Sequence, residues 1–121
     1  MRMKKALVSL FSVLLLIVSC SKDNDGGGGG GGGALDCATV ANKAFAADVN
    51  PIIQSVCNQP ACHAAGSING PGPLTNYNQV FNARSSIRPA IASGAMPQGT
   101  SLSTAQKNSI LCWIDSGAPN N

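Results

Sequence analysis

The chain has 121 residues, enough for one small domain, and carries a formal net charge of +3. Three bases near the N-terminus, Arg2, Lys4 and Lys5, account for all of that charge, so the five bases and five acids that follow cancel. A neutral remainder argues against a nucleic-acid-binding protein, because that function needs a clustered basic face.

Residues 1–19 have the pattern of a secretion signal. The three bases precede an apolar run from Ala6 to Val18 that is too short to span a bilayer comfortably as a helix. The run ends in Ile-Val-Ser-Cys, which resembles the lipobox of bacterial lipoproteins. The resemblance implies cleavage before Cys20 and acylation of that cysteine, which anchors a protein stably in a membrane. The alternative is an ordinary signal cleaved nearby, with Cys20 free.

Residues 20–34 join the expected lipid anchor to the rest of the chain. Eight consecutive glycines fill much of this segment, so we expect a flexible tether with a span of roughly 20 Å. Ser21 stands where an aspartate would retain a lipoprotein at the inner membrane of some bacteria. We therefore expect an outer-membrane lipoprotein that faces the periplasm or the cell surface.

Residues 35–121 form the predicted folded domain. It has few large side chains, and so small a domain usually needs disulfides, a metal or a cofactor. Its first predicted helix has apolar residues at helical spacing between Val49 and Val56 and ends at Cys57. Asn50 is the expected N-cap, with Pro51 as the first helical residue.

Two long loops rich in Gly and Pro, at residues 64–73 and 94–100, separate the remaining helices. Between these loops, Asn76 is expected to cap a short helix. A further helical piece near residues 87–92 is either opened or interrupted by Pro89.

The last helix has the clearest signals. Ser103 and Gln106 form the S-x-x-Q pattern of a capping box, and Gly117 stands where a C-terminal cap belongs. One face of this helix is apolar and carries Ile110, Trp113 and Ile114. No segment shows the alternation of a strand, so the sequence predicts an all-α domain.

Four cysteines follow Cys20 in the sequence, namely Cys37, Cys57, Cys62 and Cys112. In an exported protein unpaired thiols tend to oxidise, and four cysteines can pair in three ways. One interpretation is therefore a structural or interaction lipoprotein that two disulfides stabilise and that binds no cofactor.

A second interpretation starts from the scarcity of histidine and methionine. Beyond the signal there is one of each: His63, directly after Cys62, and Met96, in the second loop. Imidazole and thioether are axial ligands of the iron in haem electron carriers. The thiols of Cys57 and Cys62 would supply thioether links to the haem, so every residue type that a covalent haem needs is present in the necessary order.

Residues 45–119 resemble a class I monohaem c-type cytochrome domain. The resemblance lies in the pieces PIIQSVC, CH, LTNYNQV, MPQG and LSTAQKNSILCWIDSGA. It implies a small all-α fold wrapped around one covalently attached haem c, with Cys57 and Cys62 at the thioether positions. It further implies His63 and Met96 as the two axial iron ligands. The implied function is single-electron transfer to redox partner proteins, by a carrier that is not an enzyme and that we expect to be a monomer.

The C-x-x-x-x-C-H motif departs from the usual haem-attachment spacing, which has two residues between the cysteines. Pro60 lies in the longer stretch and suits a loop. Stretched spacings also occur among multihaem c-type cytochromes. The alternatives are attachment through a single thioether, or a disulfide between Cys57 and Cys62.

In the fold that the resemblance implies, the N-terminal helix contacts the C-terminal helix. Cys37 lies just before the former, and Cys112 lies in the latter, pointing away from Trp113 and Ile114 on a helical wheel. We therefore expect a Cys37–Cys112 disulfide, with two free thiols as the alternative.

Other kinds of site fit the sequence less well. A zinc site wants four ligands where Cys57, Cys62 and His63 give three, and a blue-copper site wants two histidines. Adjacent Cys62 and His63 do not form a nucleophile and base pair. A haem-based sensor or peroxidase-like enzyme needs an open iron position, against which Met96 argues.

Overall fold

The computed structural model describes residues 35–121, and in this range the chain forms helices and no strand. The expected all-α class is therefore confirmed for the described residues. None of their helices is long and apolar enough to cross a bilayer. The predicted signal, the expected lipidation site at Cys20 and the expected glycine tether lie outside the described residues.

The first helix, α1, covers residues 45–57 and is π-helical over Phe45–Val49, α-helical over Asn50–Ile52 and π-helical over Ile53–Cys57. The prediction that Asn50 is the N-cap was wrong. Asn50 has helical backbone angles, and its N–H donates to the carbonyl of Phe45. Pro51 lacks an N–H and would crowd the carbonyl four residues earlier in an α-helix, but the wide π-turn before it accommodates the ring.

The beginning of α1 is held by groups from its own first turn and from the far end of the chain. The amide of Ala44 donates to a carboxylate oxygen of Asp48 at 2.8 Å. The amides of Phe45 and Ala46 donate to the side-chain and backbone oxygens of Asn121 at 2.9 and 2.7 Å. These acceptors satisfy amides that have no partner within the helix.

The second helix, α2, covers Tyr77–Ser93 as one element. Asn76 caps it as predicted, because its side-chain oxygen accepts from the amide of Gln79 at 3.1 Å. The expectation of two separate helical pieces was wrong, since Pro89 lies inside the helix without ending it. Pro89 and Ser85 are both exposed, so water can satisfy the Ser85 carbonyl that the proline leaves unpaired.

The third helix, α3, covers Thr104–Asp115. Its predicted capping box is confirmed: Gln106 N donates to Ser103 Oγ at 3.2 Å, and Ser103 N donates to the Gln106 side chain at 2.9 Å. Gly117 follows the helix with φ of +93°, a conformation that glycine adopts without a Cβ penalty, so the C-terminal cap is also confirmed.

The core lies where α3 packs against α2 and against the first turn of α1. Trp113 is fully buried at its centre, with its ring 5.2 Å from that of Phe45 and 6.4 Å from that of Tyr77. The indole N–H donates to the carbonyl of Pro119 at 2.8 Å, and the Tyr77 hydroxyl donates to Ala118 at 2.9 Å. Both polar tips of the aromatic cluster are therefore satisfied by the segment after α3.

The expected disulfide between Cys37 and Cys112 is confirmed, with the two Cα atoms 5.2 Å apart. It ties the segment that precedes α1 to α3 across 75 residues of chain. Cys112 is fully buried although it lies off the face of Trp113, because the N-terminal segment covers it. The bond thus closes the same contact between α1 and α3 that builds the core.

Candidate functional site

The stretch between the two cysteines of the C-x-x-x-x-C-H motif folds back on the end of α1. The amide of Cys62 donates to the carbonyl of Gln59 at 2.8 Å, and the amide of His63 donates to the carbonyl of Cys57 at 3.1 Å. Asn58 leaves the helix with ψ of 54°, which starts the turn. The four intervening residues therefore form a closed loop that returns His63 to the helix end.

A cavity of about 560 Å³ opens beside this loop. The structure brings all four predicted haem-site residues, Cys57, Cys62, His63 and Met96, to its wall. Its volume lies within the range of roughly 300–1,000 Å³ that is common for cofactor and small-molecule sites. The other residues that line it are Ile53, Val56, Ala61, Asn69, Gly70, Pro71, Leu74, Ser86, Ile87, Ala90, Ile91, Pro97 and Gln98.

His63 is 6% exposed, and a backbone acceptor fixes its ring. Its Nδ1 atom lies 2.9 Å from the carbonyl oxygen of Gly72. A carbonyl can only accept a hydrogen bond, so Nδ1 carries a proton, and in the neutral ring the free lone pair is on Nε2. This is the arrangement in which a neutral imidazole can bind a metal through Nε2, with its orientation set by the bond at Nδ1.

Met96 lies in the loop that follows α2 and lines the cavity. Its amide donates to the carbonyl of Ala90 at 3.1 Å, which holds the loop against the last turns of the helix. The side chain is half-buried and packs against the hydrophobic core. The thioether therefore faces a partly dry environment, and it comes from a different loop than His63.

Cys57 is buried and Cys62 is half-buried, and both are free thiols in the structure. Burial raises the pKa of the Cys57 thiol above its ordinary value, and the neighbouring Cys62 raises it further. Both effects disfavour a negative charge on the Cys57 sulfur. At neutral pH the Cys57 sulfur is therefore held as a thiol.

No Lys, Arg, Asp or Glu lines the cavity among the described residues. Three of the bases in residues 35–121 are engaged elsewhere: Lys107 donates to the carbonyl of Ala92, Arg84 stacks on Phe81, and Arg88 pairs with Asp115. The Arg88 hydrogen bonds, at 2.6 and 2.8 Å, hold the pKa of the Asp115 carboxyl below its usual value. The cavity is therefore an uncharged, largely apolar site.

Two residues that the sequence did not single out also belong to this site. Gly72 supplies the carbonyl that orients His63, and Asn69 lines the cavity and bonds the backbone beside Cys62. Both lie in the predicted Gly- and Pro-rich loop, whose composition marks an irregular path. Composition alone does not say which backbone carbonyl meets the histidine.

Among residues 35–121, no three His, Cys, Asp or Glu side chains are grouped so that they would hold a bare metal ion. No protein-family model, curated protein or solved structure matches this chain.

Proposed function

We propose that this protein is an electron carrier, a membrane-anchored monohaem c-type cytochrome. The observation that carries the proposal is that Cys57, Cys62, His63 and Met96 line one uncharged cavity. Two of these four side chains are the only histidine and the only methionine of residues 35–121. His63 follows the loop between Cys57 and Cys62, and Met96 lies in the loop after α2. Their presence at one cavity therefore does not follow from closeness in sequence.

The donor set fits a covalent haem c better than a bare metal ion. When bound, the haem supplies an iron that changes its charge by one electron between two stable oxidation states. His63 would bind the iron through its free Nε2, and Met96 would bind it through its thioether sulfur. Cys57 and Cys62 would hold the haem through their sulfurs, each thiol proton moving to the vinyl carbon that the sulfur does not bond.

The apolar wall has a separate role in this proposal. Ile53, Leu74, Ile87 and Ile91 are buried residues that line the cavity and would exclude water from the iron. A dry, uncharged surrounding disfavours the more highly charged ferric iron, as does a neutral thioether ligand. Both features would suit a carrier of relatively high reduction potential, and His63 and Met96 would both be used to bind the iron.

The finer part of the predicted fold belongs to the same proposal. The connection over residues 58–76 and the loop that carries Met96 would wrap the cofactor on the side away from α3. The three helices alone leave the cavity open between α1 and α2, because its wall includes residues from both. A bound haem would fill this gap and thereby complete the small core.

The proposal includes a lipid anchor at Cys20 and an outer-membrane location, with an unidentified redox protein as partner. The tether would keep the domain within reach of the membrane without fixing its orientation. Membrane fractionation with protease shaving tests this part. Replacement of Cys20 by Ala should release the protein into the soluble fraction, whereas recovery of the unchanged protein only in the inner membrane would contradict the outer-membrane assignment.

The intact mass and the visible spectrum of the mature protein test the cofactor. Protein from cells that attach haem should carry one haem per chain and keep it after denaturation, because thioethers are covalent. The double variant Cys57→Ser/Cys62→Ser should lose this mass, while the control Cys37→Ser/Cys112→Ser should keep it. A colourless wild-type protein without the added mass would instead favour a disulfide-stabilised structural or interaction lipoprotein.

A further inference from the structure

Asn69 is an exposed residue of the loop before α2, yet its side chain holds the backbone at the second cysteine of the motif. Its amide nitrogen donates to the carbonyl of Ala61 and to the carbonyl of Cys62, both at 3.0 Å. Since both partners are acceptors, the nitrogen and not the oxygen of the amide must face them. Both side-chain donors are therefore used on two consecutive carbonyls.

The backbone of Asn69 is also linked, through Gly72, to the ring of His63. The carbonyl of Asn69 accepts from the amide of Gly72, and the carbonyl of Gly72 accepts from Nδ1 of His63. Ser67 adds a second bond to the Cys62 carbonyl through its hydroxyl, and this hydroxyl in turn accepts from the amide of Asn69 at 3.2 Å. Asn69 thus lies between the backbone of Cys62 and the group that orients the histidine ring.

The need for such a link follows from the motif itself. Four residues between the cysteines give the loop more conformational freedom than two, and Pro60 removes one amide that could stabilise it. The bonds within the loop, from Cys62 to Gln59 and from His63 to Cys57, involve backbone atoms only. The side chain of Asn69 fastens the loop from outside at its second cysteine.

We propose that Asn69 is a positioning residue that sets Cys62 and His63 in the geometry for haem attachment and so compensates for the long spacing of the motif. This inference rests on the proposed function. Asn69 binds neither the iron nor a haem vinyl group in this proposal. It acts through the Cys62 carbonyl and through Gly72.

The test uses the full chain, expressed in cells that attach haem, with Asn69→Asp as the variant. Aspartate has the same shape but offers two acceptors to two carbonyls, so both bonds are lost. Gln98→Ala is the matched control, because Gln98 is also exposed and lines the same cavity from the other loop. Peptide mapping by mass spectrometry measures the ratio of free Cys62 thiol to Cys62 thioether among chains that carry haem.

Asn69→Asp should raise this ratio on the order of 25-fold over the Gln98→Ala control, because two hydrogen bonds are lost and each shifts an equilibrium by about fivefold. The visible spectrum of the Asn69 variant should also show a smaller fraction of low-spin iron. Replacement of a surface residue with only a structural role would leave this fraction unchanged. Equal ratios and equal spectra for the two variants would overturn the inference while leaving the proposed function intact. If Asn69→Asp does not accumulate, Asn69→Ser, with one donor in place of two, is read in the same way.

Failure of the proposed function has a different result. In that case the wild-type protein itself carries no haem, whatever residue stands at position 69, and the inference falls with it.

Discussion

The ring of His63 and the carbonyl of Gly72 form a hydrogen bond of 2.9 Å that fixes which imidazole nitrogen is free. Gly72 has φ of +94°, a backbone conformation that residues with a Cβ rarely adopt. The turn that presents this carbonyl therefore depends on glycine. The bond leaves Nε2 as the nitrogen that can bind a metal.

Replacement of His63 should remove the proposed iron ligand whose ring this bond orients. His63→Ala should leave protein whose iron has lost its low-spin spectrum, because one of the two residues that would bind the iron is gone. Absorption spectra of the oxidised and reduced protein measure this loss. Ser86→Ala is the control, since Ser86 also lines the cavity but is exposed and carries no ligand atom suited to haem iron, and its spectrum should match the wild type. A low-spin spectrum in His63→Ala would contradict the assignment.

Met96→Ala should lower the reduction potential while leaving the haem attached, because a neutral thioether favours ferrous iron over ferric iron. The change should be on the order of 0.1 V, a modest part of the span of about 0.8 V that axial ligands govern. The weak far-red charge-transfer band expected of the oxidised protein should also disappear.

The control for the methionine is Leu102→Ala. Leu102 is half-buried, packs against the same core and lines the smaller cavity next to Met96, so its truncation costs similar packing without removing a ligand. The Leu102 variant should keep both the band and the potential. If Met96→Ala also keeps them, Met96 does not bind the iron, and the site is open to small molecules.

The two motif thiols should differ in reactivity in the haem-free protein. The pKa of Cys57 is raised, so its thiolate appears only at a higher pH than that of an ordinary thiol, and it should be alkylated more slowly than Cys62 near pH 8. A group whose pKa is raised on folding keeps its proton more tightly in the folded state. The free energy of unfolding should therefore fall as the pH rises past about 8.5, where the unfolded thiol ionises.

Mass spectrometry of alkylated peptides over a range of pH checks this order. Cys57→Ser should remove the slow phase of alkylation and leave the fast phase, since Cys62 is the more exposed of the two thiols. Equal alkylation rates for both thiols would show that Cys57 is not shielded by the cavity wall.

The Cys37–Cys112 disulfide should contribute about 4 kcal/mol to the free energy of unfolding, because it closes a loop of 75 residues in the unfolded chain. Urea unfolding of the Cys37→Ser/Cys112→Ser variant, compared with the unchanged protein, measures the difference. Both proteins should be compared in the haem-bound form, so that the cofactor's contribution cancels. A difference below about 1 kcal/mol would show that the contact between the first and third helices holds without the bond.

Local signals in the sequence were sufficient for the helix ends whose partners are close in the chain. Asn76 caps α2 through Gln79, three residues away, and Ser103 and Gln106 bond each other at the same separation. Asn50 was assigned wrongly because two of the amides at the true start of α1 donate to Asn121, 76 residues from Phe45, and no local pattern encodes that contact.

The same difference between local and distant contacts applies to the candidate site. Residue type and scarcity were enough to single out His63 and Met96, since the described chain has one of each. The carbonyl that orients His63 belongs to Gly72, in a loop whose path depends on tertiary contacts such as the bond from the Leu74 amide to the His63 carbonyl at 2.8 Å. Backbone acceptors have no side-chain signature, so neither this role nor that of Asn69 can be deduced from composition.

A potentiometric titration of the purified mature protein, followed by visible absorption, tests electron transfer by this protein most directly. We expect one haem per chain and a single reversible transition that follows a one-electron Nernst curve, with a low-spin spectrum at both ends. This is the behaviour expected if His63 and Met96 both bind the iron in this uncharged cavity. A protein without visible absorption, or one whose iron is high-spin throughout and takes up small ligands, would contradict the assignment as an electron carrier.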